Sequence, residues 1–330
     1  MRNRNWKAMS AAAFRTIVPA VAVLMAWMPP AIAAGVWTPE ANVPSVGPGV
    51  EGMSVGVEDA FIVAAYGLDS GAGDTNRTRV YSVATGVWSP GADAPLPVRS
   101  EGIGVLRDGK LYSIGGRSGG GVLNNLERYH KNTNTWVTLA PMPTPLAGLG
   151  GTHSGRYISA IGGRTGAVPC SGVALAAVER YDTQTNTWAT MAPLPAPRSD
   201  LGALAMGNGR IYVFGGCDEN YDVVGDVFVY NIVTNTWSNG PPMPTPRAMF
   251  YQVGFAGPKI YVMGGATCCY LVSALNEVYD TFTNTWSFDT PMTTPRGEMG
   301  VGSVGGTIWT VGGAMPAFGF SSNALETFDP

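Results

Sequence analysis

The chain has 330 residues, of which 45% are hydrophobic, 13% are charged and 45 are glycine, with a formal net charge of −3. The low charge and substantial hydrophobicity exclude a disordered protein, and the 45 glycines and 25 prolines exclude an architecture of long helices. This composition is typical of many short β-strands joined by tight turns.

The first 34 residues are predicted to be a secretory signal peptide. Four basic residues come first, an apolar run follows over 17–28, and small residues at 31–34 form the cleavage site. The apolar run is too short for a membrane-spanning helix, so no membrane insertion is expected after cleavage. We therefore expect residues 35–330 to be periplasmic or secreted. This part carries 16 basic against 23 acidic residues, which disfavours a nucleic-acid partner.

A repeated glycine pair organises the rest of the chain. Each pair ends a short apolar run, and successive pairs lie 47 to 53 residues apart. The pairs are Gly115-Gly116, Gly162-Gly163, Gly215-Gly216, Gly264-Gly265 and Gly312-Gly313. A tyrosine follows each of the first four pairs, and a tryptophan follows that tyrosine seven positions later, as in Tyr181 and Trp188. Self-similarity at this period predicts a repeat architecture.

Each period is predicted to hold four strands, here called a to d in chain order. In one period strand a covers 199–206, strand b covers 210–214, strand c leads to Tyr230 and strand d contains Trp237. One such sheet cannot bury both faces alone, so the sheets must pack around a common axis. The double glycine with a spaced Tyr and Trp resembles the Kelch repeat. That resemblance implies an all-β, Kelch-type β-propeller of four-stranded antiparallel blades.

The two ends of the chain are predicted to share one blade. Residues 35–37 match the start of a strand d, as in Gly86-Val87-Trp88, whereas Leu325–Asp329 matches a strand c whose tryptophan is missing. Pairing the N-terminal strand, residues 35–39, with the C-terminal blade would close the ring and remove its open edges. Five complete blades and one shared blade predict a six-bladed propeller spanning residues 35–330.

The predicted ligand-binding rim carries the b–c loops and the d–a connectors, which emerge at the same end of each blade. An arginine ends four connectors, and three of these arginines have a carboxylate two residues later. A spacing of two predicts that each such pair lies on one side of a strand. The residues are Arg99, Glu101, Arg198, Asp200, Arg247, Arg296 and Glu298. Two interpretations stay open. The arginines either form a crown at the channel mouth that binds carboxylate groups, or brace neighbouring connectors. Asp218, Glu219 and Tyr221, in a longer b–c loop, are further candidates for ligand contacts.

All four cysteines, Cys170, Cys217, Cys268 and Cys269, fall in b–c loops of three successive blades. Export to an oxidising compartment predicts at least one disulfide. Cys170–Cys217, Cys217–Cys268 and a vicinal Cys268–Cys269 bond all stay open. We expect no metal and no cofactor, because both histidines, His130 and His153, lie toward the opposite face.

The leading functional hypothesis is an exported, monomeric binding protein that recognises a protein or a glycan, anionic in the crown interpretation, on this rim. One alternative is a cofactor-free carbohydrate isomerase or lyase that uses Arg and carboxylate residues at the channel mouth, as the resemblance to the family's sialic-acid mutarotases implies. The other alternative is a purely structural envelope component. The two histidines are poorly placed for a Ser-His-Asp arrangement or for a copper site like that of galactose oxidase, so a binding role is preferred over catalysis.

Overall fold

The computed structural model describes residues 35–267, 271–316 and 321–330; the predicted signal peptide lies outside these residues. They form six four-stranded antiparallel sheets, which is the number that the repeats predict. Two short additional sheets are also present. One joins Val50–Glu51, Leu68–Asp69 and Gly73–Asp74, and the other joins Arg117–Ser118 and Gly121–Val122. Among the described residues, no helix has the length and apolar character needed to cross a membrane.

The strands follow the repeat in chain order. Blades one and two, with the preceding N-terminal strand, contain β1 (Val36–Pro39), β2 (Val50–Glu51), β3 (Ser54–Glu58), β4 (Phe61–Ala65), β5 (Leu68–Asp69), β6 (Gly73–Asp74), β7 (Thr78–Ser82), β8 (Val87–Pro90), β9 (Ile103–Arg107), β10 (Lys110–Ile114), β11 (Arg117–Ser118), β12 (Gly121–Val122), β13 (Leu126–His130) and β14 (Thr135–Thr138). Blades three and four contain β15 (Gly150–Ser154), β16 (Tyr157–Ile161), β17 (Val178–Asp182), β18 (Thr187–Thr190), β19 (Gly202–Met206), β20 (Arg210–Phe214), β21 (Val227–Asn231) and β22 (Thr236–Gly240). Blades five and six contain β23 (Gly254–Ala256), β24 (Lys259–Met263), β25 (Asn276–Asp280), β26 (Thr285–Phe288), β27 (Gly300–Val304), β28 (Thr307–Val311) and β29 (Leu325–Asp329).

The repeated tryptophans join each blade to the preceding one. In the third blade Trp188 packs on Tyr181 with ring centroids 5.2 Å apart, and its indole N–H donates to the carbonyl of Ala140 in the preceding connector, at 2.8 Å. The tryptophans that make the same bond from the other blades are Trp37, Trp88, Trp136, Trp237 and Trp286. The repeated Trp therefore combines core packing with a bond between blades, which satisfies its partly buried N–H group.

The N-terminal strand completes the last blade, as predicted. β1 pairs antiparallel with β29, and Trp37 lies opposite Phe328 with ring centroids 4.9 Å apart. The indole N–H of Trp37 donates to the carbonyl of Thr290 at 3.1 Å. The closing blade therefore has the same contacts as the internal ones, and no strand edge is left open at this position.

A second ring of bonds lies at the axis, where each innermost strand begins. One residue per blade adopts a positive φ between 51° and 60°, and its N–H donates to the carbonyl of the equivalent residue in the preceding blade. These residues are Gly52, Glu101, Gly148, Asp200, Met249 and Glu298. The bonds measure 2.6 to 3.2 Å and return from Gly52 to Glu298, so the ring closes. Six repeat positions are thereby brought together at one end of the channel.

Trp37→Ala tests the closure of the ring. We expect the free energy of unfolding to fall by about 2–4 kcal/mol, because the substitution removes the contact with Phe328 and the bond to Thr290. Val36→Ala is the matched control, since the Val36 side chain is 62% exposed on the same strand, and it should change stability by less than about 0.5 kcal/mol. Urea denaturation measures both. Equal stability of the two variants would contradict closure by β1.

Candidate functional site

Three carboxylates and one guanidinium meet at the axial ring. Glu101, Asp200 and Glu298 occupy three of the six ring positions, and all three side chains are buried. Arg164, which directly follows the glycine pair of the third blade, donates through Nη2 to Glu101 and through Nη1 to Asp200. Burial alone would lower the pKa of Arg164, but Asp200, Tyr251 and Glu101 raise it, so the guanidinium stays charged.

Gly148 makes the space that Arg164 occupies. A Cβ at this position would collide with the guanidinium of Arg164 and with the carboxylate of Asp200. Gly148 also has a φ of +59°, a conformation that glycine adopts without strain. The missing side chain in the third blade therefore lets one arginine bridge carboxylates from the second and the fourth blade.

Two partly exposed residues extend the cluster toward the rim. Arg117, which follows the glycine pair of the second blade, donates through Nε to Glu101. Glu51 precedes the ring residue Gly52, and one of its carboxylate oxygens accepts a bond from the Ser321 hydroxyl at 3.0 Å. Burial, together with the neighbouring Glu101, raises the pKa of Glu51. Four carboxylates thus face two guanidinium groups.

Glu298 differs from the other carboxylates of the ring. Its side chain is only 7% exposed, and no residue in the described part of the chain donates a hydrogen bond to its carboxyl group. Burial raises the pKa of Glu298 well above its usual range, and the charges of Glu101 and Glu51 raise it further. A carboxyl group in this position either holds a proton or pairs with a cation.

One extra residue in the fifth blade places two polar side chains in the channel. In the fourth blade, the strand-a residue opposite the middle of strand b is Leu204, four positions after Asp200 of the axial ring. In the fifth blade, the equivalent residue is Gly254, five positions after Met249 of the ring. The other four blades have the shorter spacing. Inserted residues of this kind redirect side chains, as β-bulges do.

Tyr251 and Gln252 are the side chains that this insertion redirects. The Tyr251 hydroxyl donates to Asp200 at 3.2 Å, and burial raises the pKa of Tyr251 well above its ordinary value. The Gln252 amide donates to the carbonyls of Val55 and Gly104 at 2.8 Å, and its oxygen accepts from the N–H of Val301 at 2.9 Å. Gln252 therefore spans the channel and separates the carboxylate cluster from the opposite end.

The crown interpretation does not describe Arg99, Arg247 and Arg296. Each is at most 1% exposed and forms an ion pair with a strand-c glutamate of its own blade, namely Glu127, Glu277 and Glu326 respectively. Arg198 is 7% exposed and pairs with Asp226. Three of these guanidinium groups tie a connector to strand c of the same blade, and that of Arg198 ties its connector to the residue just before strand c. The arginines therefore brace their own blades rather than neighbouring connectors.

The side-by-side pairing of each arginine with the carboxylate two residues later is also wrong. Residues two apart share a face only where the backbone is extended. Glu101, Asp200 and Glu298 have φ values of 57°, 56° and 51°, so the chain turns at the carboxylate. The arginine side chain enters the blade, whereas the carboxylate lies at the axis with those of other blades.

A disulfide joins Cys170 and Cys217, in the b–c loops of the third and fourth blades, with Cα atoms 5.4 Å apart. It rules out the Cys217–Cys268 pairing, and Cys268 and Cys269 lie outside the described residues. The bond lies against the cluster, because the Cys170 N–H donates to Asp200 at 2.9 Å. Both sulfurs and Asp200 lie within 4.8 Å of one another, but sulfurs bonded to each other do not offer the thiolates that a metal requires.

The candidates in the longer b–c loop lie on the outer rim. Asp218 accepts backbone N–H bonds from Asn220 and Asp222 within its own turn, and Glu219 is exposed. The Tyr221 side chain is 55% exposed. The three residues are therefore available to a partner on the rim but do not reach the axial cluster through any hydrogen bond in the described structure.

A cavity of about 320 Å³ lies at the opposite end of the channel, beyond Gln252. Its polar lining includes Glu58, Thr152, His153 and Ser303, near the a–b turns. Burial lowers the pKa of His153, and the nearby Arg107 lowers it further. The cavity brings together no set of interacting carboxylates and arginines like that around Arg164, so the axial cluster is the stronger candidate site.

Comparison with protein families decides the relationship that the repeat suggests. The model of the KLHDC2/KLHL20/DRC7 Kelch-repeats domain matches residues 155–330, and the model of the Kelch motif matches residues 105–143. The chain belongs to the Kelch-repeat family.

Relatives of this Kelch propeller resemble parts of it. Beta-scruin of Limulus polyphemus is 32% identical over 132 residues, which is 39% of this chain and 14% of scruin. Kelch-like protein terF of Aspergillus terreus is 31% identical over 147 residues, which is 44% of this chain and 31% of terF. The Kelch chain thus spans less than a third of the length of these relatives. The structure of YjhT shares the fold, with a TM-score of 0.72 at 16% identity, over 86% of this chain and 95% of YjhT.

Glu298→Gln tests the protonation of Glu298 in the axial cluster. A carboxyl group with a raised pKa binds more protons in the folded than in the unfolded state, so its contribution to stability falls as pH rises. Between about pH 5 and about pH 8, we expect the free energy of unfolding of the variant to rise by at least about 1 kcal/mol relative to that of the unmodified protein. Glu219→Gln, on the exposed rim, is the control. Denaturation curves that show the same pH dependence for all three proteins would contradict the raised pKa.

Peptide mapping under non-reducing conditions tests the disulfide. Protein isolated from an oxidising compartment should yield one linked peptide pair containing Cys170 and Cys217. Because the two cysteines are 47 residues apart, Cys170→Ser combined with Cys217→Ser should lower the free energy of unfolding by about 4 kcal/mol. Recovery of both cysteines as free thiols would contradict the bond.

Proposed function

We propose that the chain is an exported protein-binding module whose partner docks on the b–c rim of the third, fourth and fifth blades. The observation that carries the proposal is that each of these three neighbouring loops exposes an apolar side chain. Val173, Tyr221 and Leu271 are 60%, 55% and 61% exposed, one from each blade. Exposed apolar residues grouped on one rim mark interaction surfaces more often than scattered single ones do.

The rim rests on a rigid base. A small apolar cluster below the loops contains Cys217, Ala248, Met249 and Ala266, and Cys170 and Val223 pack against it. The disulfide fixes the first two loops to each other. A rigid binding surface loses little conformational entropy when a partner docks, which favours affinity.

The charge of the rim favours a basic partner over the anionic ligand that an arginine crown would bind. Glu219 and Asp222 are exposed beside Tyr221. Four predicted crown arginines are mostly buried and paired with carboxylates. Complementary charge would steer a basic protein to this surface.

Export and a monomeric state are part of the same proposal. The amino-terminal sequence motivates export, and a disulfide between loops is typical of proteins that reach an oxidising compartment. In this account the ring is closed within one chain, and the partner docks from the periplasm or the extracellular medium.

Substitutions on opposite faces test the proposal. Val173→Asp and Leu271→Asp should reduce the amount of a specific partner captured from extracytoplasmic extract at least about tenfold, because a buried charge weakens an apolar contact. Phe282→Asp is the matched control, since this 89% exposed side chain lies in the c–d turn at the other end of the fifth blade. Quantitative mass spectrometry compares the captured proteins. Equal capture by all three variants would contradict docking on the rim.

Glu298 favours the carbohydrate-enzyme alternative in one respect. A carboxyl group with a raised pKa beside Arg164 and Tyr251 has the properties of a general acid. This function stays a prediction. Its signature would be turnover of a sugar substrate that Glu298→Gln abolishes while binding is retained.

A further inference from the structure

The first and third blades contain equivalent sites at the axis. In both blades the ring residue is a glycine, Gly52 or Gly148, whereas the other four ring positions carry side chains. The preceding blade and the following blade supply a carboxylate on either side of each glycine. Glu101 and Asp200 flank Gly148, and Glu298 and Glu101 flank Gly52.

The third-blade site is filled by the arginine of its own blade. Arg164 pairs with Ala147, the residue before Gly148, and its guanidinium bridges the two flanking carboxylates. In the first blade the equivalent residue is Leu68, which pairs with Glu51, the residue before Gly52. Glu51 comes from the first blade, and the flanking carboxylates come from the second and sixth blades. No described residue of the first blade supplies a guanidinium to this site, and Arg117 of the second blade pairs with Glu101.

The contacts at Gly52 define the site, here called the first-blade slot and formed by Glu51, Gly52, Glu101 and Glu298. A Cβ on Gly52 would lie 3.5 Å from Oε2 of Glu298 and 3.4 Å from Cγ of Glu101. Glu298 is 7% exposed, and none of the described residues donates a hydrogen bond to its carboxyl group. The neighbouring Leu68 and Glu51 are partly exposed, so the slot has a solvent-facing side.

We propose that the first-blade slot binds a guanidinium group, supplied by an arginine side chain of the docked protein. The planar guanidinium matches carboxylates on two sides through paired N–H bonds, which an ammonium group does not reproduce. The source of the arginine rests on the proposed protein-binding function, whereas the slot itself does not. The ligand would repeat, in the first blade, the bridge that Arg164 makes in the third.

Binding of the guanidinium is expected to strengthen as pH rises, because the cation favours the ionised carboxylate of Glu298. The groups that face Glu298 are Glu51, Glu101, Arg117, Arg164, Asp200 and Tyr251. The acidic groups favour the protonated form and the two arginines favour the ionised one, whereas Tyr251, whose own pKa is raised, stays neutral. Replacing Glu298 by Gln should remove most of the pH dependence.

Titration with L-argininamide by calorimetry tests the slot without a partner. We expect saturable binding to the full chain, at least about tenfold weaker binding to Glu298→Gln, and weaker binding of L-lysinamide than of L-argininamide. Leu68→Arg should abolish binding, because the new side chain would bridge the slot as Arg164 bridges its own site. Leu68→Met is the matched control and should bind as the unmodified protein does.

Several results would overturn the inference. They are absence of saturable argininamide binding, unchanged binding to Leu68→Arg, or equal affinity for the unmodified protein and Glu298→Gln. Circular dichroism and thermal melting establish that each variant is folded, and Glu298→Gln decides the question if Leu68→Arg does not fold. The rim substitutions test the protein-binding function separately. If the rim variants lose partner capture but the unmodified protein does not bind argininamide, the docking rim is retained and the slot is rejected. If the unmodified protein binds argininamide but the rim variants capture the partner normally, the slot is retained and the docking rim is rejected.

Discussion

The closed ring of six backbone hydrogen bonds is the constraint on which the axial chemistry depends. Each bond is made by a residue with positive φ at the start of the innermost strand. The repeat therefore fixes where six residues meet around the axis, and the identity of each residue decides what that position does. Glycine at two positions opens space, and carboxylates at three positions surround it.

The charge balance of the cluster follows from this arrangement. Buried carboxylates destabilise a fold unless they are protonated or paired. Arg164 meets that need for Glu101 and Asp200 because Gly148 leaves room for its guanidinium. Glu298 has no such partner in the described structure, and burial raises its pKa instead. The same ring thus contains a paired site and an unpaired one.

Much of the fold could be predicted from the sequence, because the glycine pairs and the Tyr–Trp spacing recur at a nearly constant period. The match between residues 35–37 and an internal strand d also predicted the pairing of β1 with β29. The orientation of the arginines could not be predicted from spacing alone. A spacing of two implies one face only in extended backbone, and the positive φ at Glu101 reverses the chain there.

Two features of the site have signals in the sequence that comparison of its repeats brings out. The position after the glycine pair is Arg in the second and third blades, but Cys, Ala and Ala in the next three, as in Cys217 and Ala266. The fifth blade has one residue more than the others between its ring position and its strand, which places Tyr251 and Gln252 in the channel. Both signals depend on strand register, which the structure supplies.

The stability of Arg164→Met, which replaces the bridging guanidinium by an apolar side chain, measures directly how far the axial carboxylates depend on their shared cation. The substitution leaves Glu101 and Asp200 buried without their shared cation. We predict a loss of about 3–5 kcal/mol in the free energy of unfolding near neutral pH. Arg117→Met, in which the replaced side chain is 22% exposed and forms its ion pair with Glu101, should lose less stability. A loss below about 1 kcal/mol for Arg164→Met, or equal losses for the two variants, would contradict the account.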